Sequence, residues 1–205
     1  VTGSTVAREL ALLSVAMAWA RNERDAPCDP AWIDGLKPSE NPARERRLEP
    51  GEYERLMAVA PSWLQSYVAL AVETAMRRGE LANLKWQDID LQRRVVTLAT
   101  SKNGSGRRVP LSGIALRTLE KMARNIDGFV FQQRESAIST AFIACCAKAG
   151  ISGLRLHDLR AEAVSRLFEK GLDLASVKSI SGHKSVAILR YMRSGDTEAL
   201  AMRLA

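Results

Sequence analysis

A mostly helical α+β domain with one small antiparallel sheet is the fold class this sequence predicts, and three observations predict it. Apolar residues recur at helical spacing over most of the chain. β-Branched residues gather at VVTLAT (95–100), before a turn-forming SKNGSG and a second extended run, RRVPL. From Ser136 onward the text is helical almost to the end, with glycine-marked breaks at 150–153, 171 and 182.

Taken in order, the first element is a helix over Thr5–Arg21. Leu10, Leu13, Val15, Ala16 and Trp19 keep near-helical spacing there, and Ser4 or Thr5 can cap it. Its apolar stretch follows Arg8 and Glu9 and precedes Arg21 and Glu23. That suits an amphipathic helix, whereas a signal peptide needs a basic start and a small-residue cleavage site. The chain opens on Val1 rather than Met, as a fragment or trimmed product would. Residues 22–47, with four prolines and many charges, read as a linker too polar for packed secondary structure. Arg44, Arg46 and Arg47 close it; they suit a phosphate backbone or a solvated charge run equally well.

The main domain spans 48–205. Glu49–Ala60 reads as a helix entered through Pro50, and Trp63–Met76 as a second, more apolar one. The hairpin of 95–111 follows, and then a helix from Ser112, its cap, to Asn125. Cys145 and Cys146 lie in AFIACCAKAG, where small buried core residues are expected. Asp196–Leu204 is a short terminal helix candidate with Leu200, Met202 and Leu204.

The chain has 205 residues and can bury one good-sized core. Thirty Lys and Arg against 23 acids give a net charge of +7, which suits a polyanionic partner such as nucleic acid. No run of eighteen apolar residues exists, so no membrane span is expected. Three cysteines form no disulfide framework and show no metal-ligand spacing, which points to a reducing cytoplasm. A Walker-type phosphate loop is absent.

Three short segments carry chemistry. Arg77 stands in ETAMRRGEL, His157 and Arg160 in HDLR, and His183 and Tyr191 in SGHKSVAILRY. Taken alone, Arg77 late in an apolar helix reads as a rim residue with a buried stem. His157 and Arg160, three apart on a helix, can aim at one point. Their order decides more than any single piece. An Arg in R-x-G-E-L, a Lys on a hairpin, H-x-L-R, G-H and a Tyr, spread over Leu48–Arg193, together resemble the tyrosine recombinase (phage integrase) family.

The resemblance implies an integrase-like catalytic domain with a small antiparallel sheet. It implies a site-specific DNA recombinase that cuts and rejoins double-stranded DNA through a 3′-phosphotyrosyl bond, without metal, ATP or other cofactor. Arg77 and Arg160 match the two catalytic arginines, Lys102 the hairpin lysine, His157 and His183 the two imidazoles, and Tyr191 the nucleophile. Glu80 matches the acid that supports the first arginine. Lys85 and Arg107 are the alternatives to Lys102 as the residue that reaches DNA, and Tyr53 and Tyr67 the rivals of Tyr191. The helix over residues 1–21 resembles the end of the family's DNA-clamping domain. Four protomers on two DNA sites would be the working assembly. The alternatives are a DNA-binding module of the same fold with little or no strand cleavage, and a type IB topoisomerase.

The residue types suit the chemistry. Attack of a phenol on a phosphodiester builds negative charge on the non-bridging oxygens, which guanidiniums clamp bidentately at any working pH. Phenol has a pKa of about 10 and needs a proton acceptor; a neutral imidazole such as His157 can serve. Lys102 is the candidate donor to the departing 5′-oxygen. Three features depart from the family pattern. His183 to Tyr191 is eight residues, about one fewer than usual; Ala161-Glu162 follow Arg160; and Ser181 replaces an apolar residue before Gly-His. One residue turns a helical side chain by about 100°, so the intervening segment has to absorb the difference.

Overall fold

The computed structural model describes residues 3–38, 46–99, 106–124 and 126–191. The chain divides into two compact units, residues 1–44 and 45–205. In the first, helix α1 (Gly3–Arg24) runs three residues past the expected Arg21, and none of its residues is buried. Leu12, Val15 and Trp19 are all more than half exposed. A 3-10 turn, Pro30–Leu36, forms inside the segment expected to be a bare linker. Asp29 caps it by accepting a hydrogen bond from the Ala31 N–H at 2.9 Å, and Pro30 supplies a preset φ at the first position. Arg21 and Asp29 pair at 3.3 Å, tying the turn to α1.

The second unit contains helices α2 (Glu52–Val59), α3 (Ser62–Thr74) and α4 (Arg78–Ala82). Strands β1 (Ile89–Asp90), β2 (Val95–Leu98) and β3 (Arg107–Pro110) follow. Helices α5 (Gly113–Glu120), α6 (Glu135–Lys148), α7 (Asp158–Glu169) and α8 (Leu174–Ser181) come next, and a 3-10 segment, Val186–Tyr191, closes the described part. Ser112 caps α5 as expected, its Oγ accepting from the Ala115 N–H at 3.1 Å. The sheet is antiparallel in the order β1-β2-β3, with Val96 opposite Val109. β1 was not foreseen; at two residues it is too short to carry an alternating pattern.

Helix α3 is the centre of the domain, packed against α5 and α7. Its residues Tyr67 to Val72 are buried without a break, as a helix flanked on several sides requires. Leu64, Tyr67, Val68 and Leu70 of α3 are buried with Phe142 and Cys146 of α6 and Leu119 of α5. Tyr67 meets Phe131 edge-on at 5.1 Å and donates its hydroxyl to the Arg78 carbonyl at 3.0 Å. A second, smaller cluster joins Ala75, Ala163, Val164, Val177 and Ile188, and Tyr191 packs against it. Because α3 ends beside the start of α7 and the end of α8, one end of the domain collects the charged motifs.

Candidate active site

Helix α3 stops at Thr74, short of the expected Met76, because Ala75 adopts left-handed backbone with φ of 52°. That conformation is uncommon for a residue with a Cβ, and here the Ala75 side chain is fully buried in the second cluster. The Ala75 carbonyl accepts from Arg160 Nη1 at 2.5 Å. Arg77 therefore stands outside α3, as the extended residue that precedes α4, rather than late in an apolar helix.

Glu80, in the first turn of α4, is the hub. It accepts from the Arg77 backbone N–H at 2.7 Å and from Arg77 Nη1 at 2.6 Å. Arg107 grips the same carboxylate with both terminal nitrogens, at 2.9 and 2.6 Å. Despite burial, these guanidiniums hold the Glu80 carboxyl at about 2. Arg77 Nη2 also donates to the Gly182 carbonyl at 2.8 Å, and Arg107 Nε to the Ile180 carbonyl at 2.8 Å. Arg107 is thus a nearly buried brace joining β3, Glu80 and the end of α8, not a side chain free to reach DNA. A Cβ on Gly182 would lie 3.0 Å from the Arg107 guanidinium, and φ there is +71°, so this turn accommodates glycine for two separate reasons.

Arg160, only 5% exposed, donates from Nη2 to the Ser181 carbonyl at 2.7 Å. The same nitrogen lies 3.3 and 3.4 Å from the two ring nitrogens of His183. Burial, and then Arg77, push the Arg160 pKa down to about 10, so it still carries its charge at neutral pH. His183 is half-buried; desolvation and the guanidiniums of Arg160 and Arg77 lower it to about 4. His157 is exposed at the start of α7, where Asp158 Oδ2 accepts from the Arg155 N–H at 2.8 Å and shapes the turn. Partial desolvation and Arg160 lower the His157 pKa as well. Both imidazoles are consequently neutral at pH 7.

A cleft of about 630 Å³ is lined by Arg77, His157, Arg160 and His183, with Phe142 and Leu156 on its apolar side. Tyr191 lies next to it, its ring centroid 6.4 Å from that of His183, with the Arg190 guanidinium 5.1 Å from its own ring. Val186–Tyr191, within the eight-residue interval, is wound as a 3-10 helix with Ile188 buried. Five of the six expected residues are thus brought together. The sixth, Lys102, lies outside the described residues, as does the Asp196–Leu204 helix candidate.

The alternatives find other places. Lys85 sits 5.0 Å from the centroid of the Phe129 ring. Tyr67 is 1% exposed with its hydroxyl engaged, and burial raises its pKa; burial also raises that of Tyr53. Arg46 and Arg47 do not extend as a basic tail. Arg46 pairs with Glu52 at 2.5 Å, and Arg47 with Glu162 at 2.8 Å and Glu169 at 2.6 Å. Among the described residues, no cluster of three or more His, Cys, Asp or Glu side chains is placed to hold a metal.

Residues 46–198 match the family model described as the phage integrase family. The chain belongs to the phage integrase family. It is 40% identical over 195 residues to the shufflon-specific DNA recombinase of Escherichia coli, covering 93% of this chain and 50% of that protein. It is 32% identical over 166 residues to the integrase of Salmonella phage P22, covering 72% of this chain and 43% of the other. The chain therefore spans about half the length of the curated relatives it matches. At the level of fold, a lambda integrase dimer bound to a COC′ core site superposes with a TM-score of 0.76 at 24% identity, covering 94% of this chain and 74% of that one. A Tn1549 transposon integrase in complex with transposon right end DNA gives 0.79 at 16% identity, covering 100% and 80%. What this phage integrase family member's sequence did not reveal was Arg107 as a brace and the left-handed Ala75; an arginine in a strand carries no mark of its tertiary partner.

Proposed function

We propose that this chain is the catalytic part of a site-specific DNA recombinase that cleaves and rejoins double-stranded DNA through a phosphodiester bond to Tyr191. The observation that carries the reading is the convergence of Arg77, His157, Arg160 and His183 on one cleft with Tyr191 beside it. Arg77 and Arg160 bind the non-bridging oxygens of the scissile phosphate and stabilise the charge that grows there. Tyr191 Oη bonds to phosphorus as the bond to the 5′-oxygen breaks. His157, as a neutral imidazole, takes the phenolic proton, and the departing 5′-oxygen receives one from Lys102. Reversal restores the phosphodiester, so the phosphotyrosine conserves the bond energy and no ATP is needed.

Residues 1–21 are the end of a DNA-clamping domain, 22–47 a linker and 48–205 the catalytic domain; the exposed Leu12, Val15 and Trp19 of α1 support this division. Core-site binding by a lambda integrase dimer supports a homo-oligomer on DNA, for which a tetrameric synapse is the full assembly we propose. Among the described residues, no helix is long and apolar enough to cross a membrane. The free, buried Cys145 and Cys146 fit a reducing cytoplasm.

The test is a nicked suicide DNA substrate drawn from the native flanking sequence, with adducts resolved on a denaturing gel. Wild type is expected to form a covalent adduct, and Tyr191→Phe to form none while keeping salt-sensitive DNA binding. An adduct in both would assign the nucleophile elsewhere. Binding without adduct in either would leave a DNA-binding module of the same fold.

A further inference from the structure

The start of α4 sends two neighbouring guanidiniums to different partners. Arg77 turns to Glu80 and the Gly182 carbonyl. Arg78 reaches α6, with Nε 3.2 Å from Glu135 Oε2 and Nη1 3.3 Å from Ser139 Oγ. Ser139 donates its own proton to the Glu135 carbonyl at 2.9 Å, so its oxygen meets Arg78 with a lone pair. Arg78, Glu135 and Ser139 all line the cleft that holds Arg77, His157, Arg160 and His183. Among the described residues of that lining, Glu135 is the one carboxylate. An acid in the wall of a cleft that takes a phosphodiester repels its ligand, unless the ligand displaces it.

The acids that these two arginines meet are held very differently. The Glu80 side chain is 14% exposed and accepts four bonds of 2.6 to 2.9 Å. Glu135 is 40% exposed, and its partners are Arg78 Nε at 3.2 Å and Asn83 Nδ2 at 3.4 Å. A Cβ on Gly79 would lie 2.9 Å from Glu135 Oε1, so the glycine leaves room for this carboxylate against α4. Exposed ion pairs contribute little in water, and a phosphate competes for a guanidinium with bidentate, charge-assisted bonds. After burial and Arg160, Arg190 and Arg78 also lower the His157 pKa, so the charge of Arg78 is felt inside the cleft.

We propose that Arg78 is a further phosphate-binding residue of the cleft, paired with Glu135 in the free protein and released from it to a DNA backbone phosphate that flanks the scissile one. The proposal rests on the recombinase reading above. Neighbouring Cα atoms lie about 3.8 Å apart, so Arg78 is close enough to hold the phosphate next to the one that Arg77 holds. Glu135 is the stand-in anion that keeps Arg78 oriented on the cleft wall until DNA arrives, and its charge lowers the affinity for DNA.

The test measures binding to an intact duplex of the native flanking sequence over a salt series, with Tyr191→Phe in every protein so that no adduct forms. The side chains of Arg78 and Glu135 are 51% and 40% exposed, so glutamine at either position leaves the fold intact. Glu135→Gln should bind roughly three- to fivefold more tightly than its parent, the upper range of what an exposed ion pair is worth. Adding Arg78→Gln to Glu135→Gln should reduce the magnitude of the slope of log K against log salt by about 0.9, one phosphate contact on duplex DNA. In an Arg78→Gln background, the gain from Glu135→Gln should shrink to less than about twofold. Equal salt slopes with and without Arg78 overturn the phosphate contact. Equal gains in the two backgrounds overturn the exchange, because Glu135 would then simply repel DNA. Equal slopes in a protein whose Tyr191 form makes the covalent adduct overturn this proposal alone, whereas absence of salt-sensitive binding in every protein overturns the recombinase reading with it.

Discussion

Replacing Glu80 with Gln tests the hub of the site, because glutamine keeps the shape of the acid while removing its charge and one of its two accepting oxygens. The carboxylate has four hydrogen bonds from Arg77 and Arg107, at 2.6 to 2.9 Å, and its side chain is 14% exposed. Its pKa drops from the ordinary 4.5 to about 2 in the folded protein. A difference of that size corresponds to about 3 kcal/mol of stability, since each unit is worth about 1.4 kcal/mol. The folded value is the lower one, so the contribution is fully present above pH 4.5 and is lost as pH falls through 2. Wild type and Glu80→Gln should therefore differ by about 3 kcal/mol at pH 7 and by about 1 kcal/mol at pH 3, where the native acid has begun to resemble the amide. Urea denaturation of both proteins at the two pH values measures this. A difference below about 1 kcal/mol at pH 7, or one that is equal at both pH values, would refute the claim that the charge of Glu80 holds the two arginines.

Other outcomes follow from the same structure. Arg47→Ala leaves Glu162, with its side chain only 5% exposed, paired with Arg166 alone, and should cost about 3 kcal/mol in urea denaturation; a loss under about 1 kcal/mol would mean the pairing is not a buried one. Arg160→Lys should slow adduct formation at least about 100-fold while DNA affinity changes little, because one ammonium cannot satisfy the Ala75 and Ser181 carbonyls and also meet a phosphate. His183 should titrate with a midpoint near 4 in an NMR pH series. Its folded pKa lies below the ordinary 6.5, so the unfolded chain takes up the proton first and stability declines from pH 6.5 down to about 4. A midpoint at or above 6 would contradict the cationic surroundings described here.

The order of the motifs was legible because each lies at an element boundary that leaves a trace in sequence: Ser112 as a cap, glycines at 171 and 182, the β-branched run at 95–98. The exact end of α3 was not, since left-handed termini normally announce themselves by glycine or asparagine and this one uses Ala75. Glu162 looked out of place beside a phosphate-binding arginine. Two residues along a helix turn a side chain by about 200°, so Glu162 faces away from Arg160 and accepts from Arg47 and Arg166 instead. The 3-10 winding of the short interval before Tyr191 could not be read from VAILRY.

The choice of partners explains how one cleft stays cationic while remaining well ordered. A guanidinium held by a carboxylate is positioned but neutralised. Arg160 is held by the carbonyls of Ala75 and Ser181, and Arg77 divides its bonds between Glu80 and the Gly182 carbonyl. Carbonyl dipoles orient N–H groups without cancelling the formal charge, so three arginines around one carboxylate leave the cluster with an excess of two positive charges. The cost is visible in Arg160, pushed down to about 10, and in His183, pushed down to about 4. On the proposed function, an arriving phosphodiester would relieve both: it would supply the missing counter-charge and raise the proton affinity of the neutral imidazole at the stage when the phenol has to give up its proton. The same positive excess that would bind the anion would thus keep the acceptor neutral until the anion is bound.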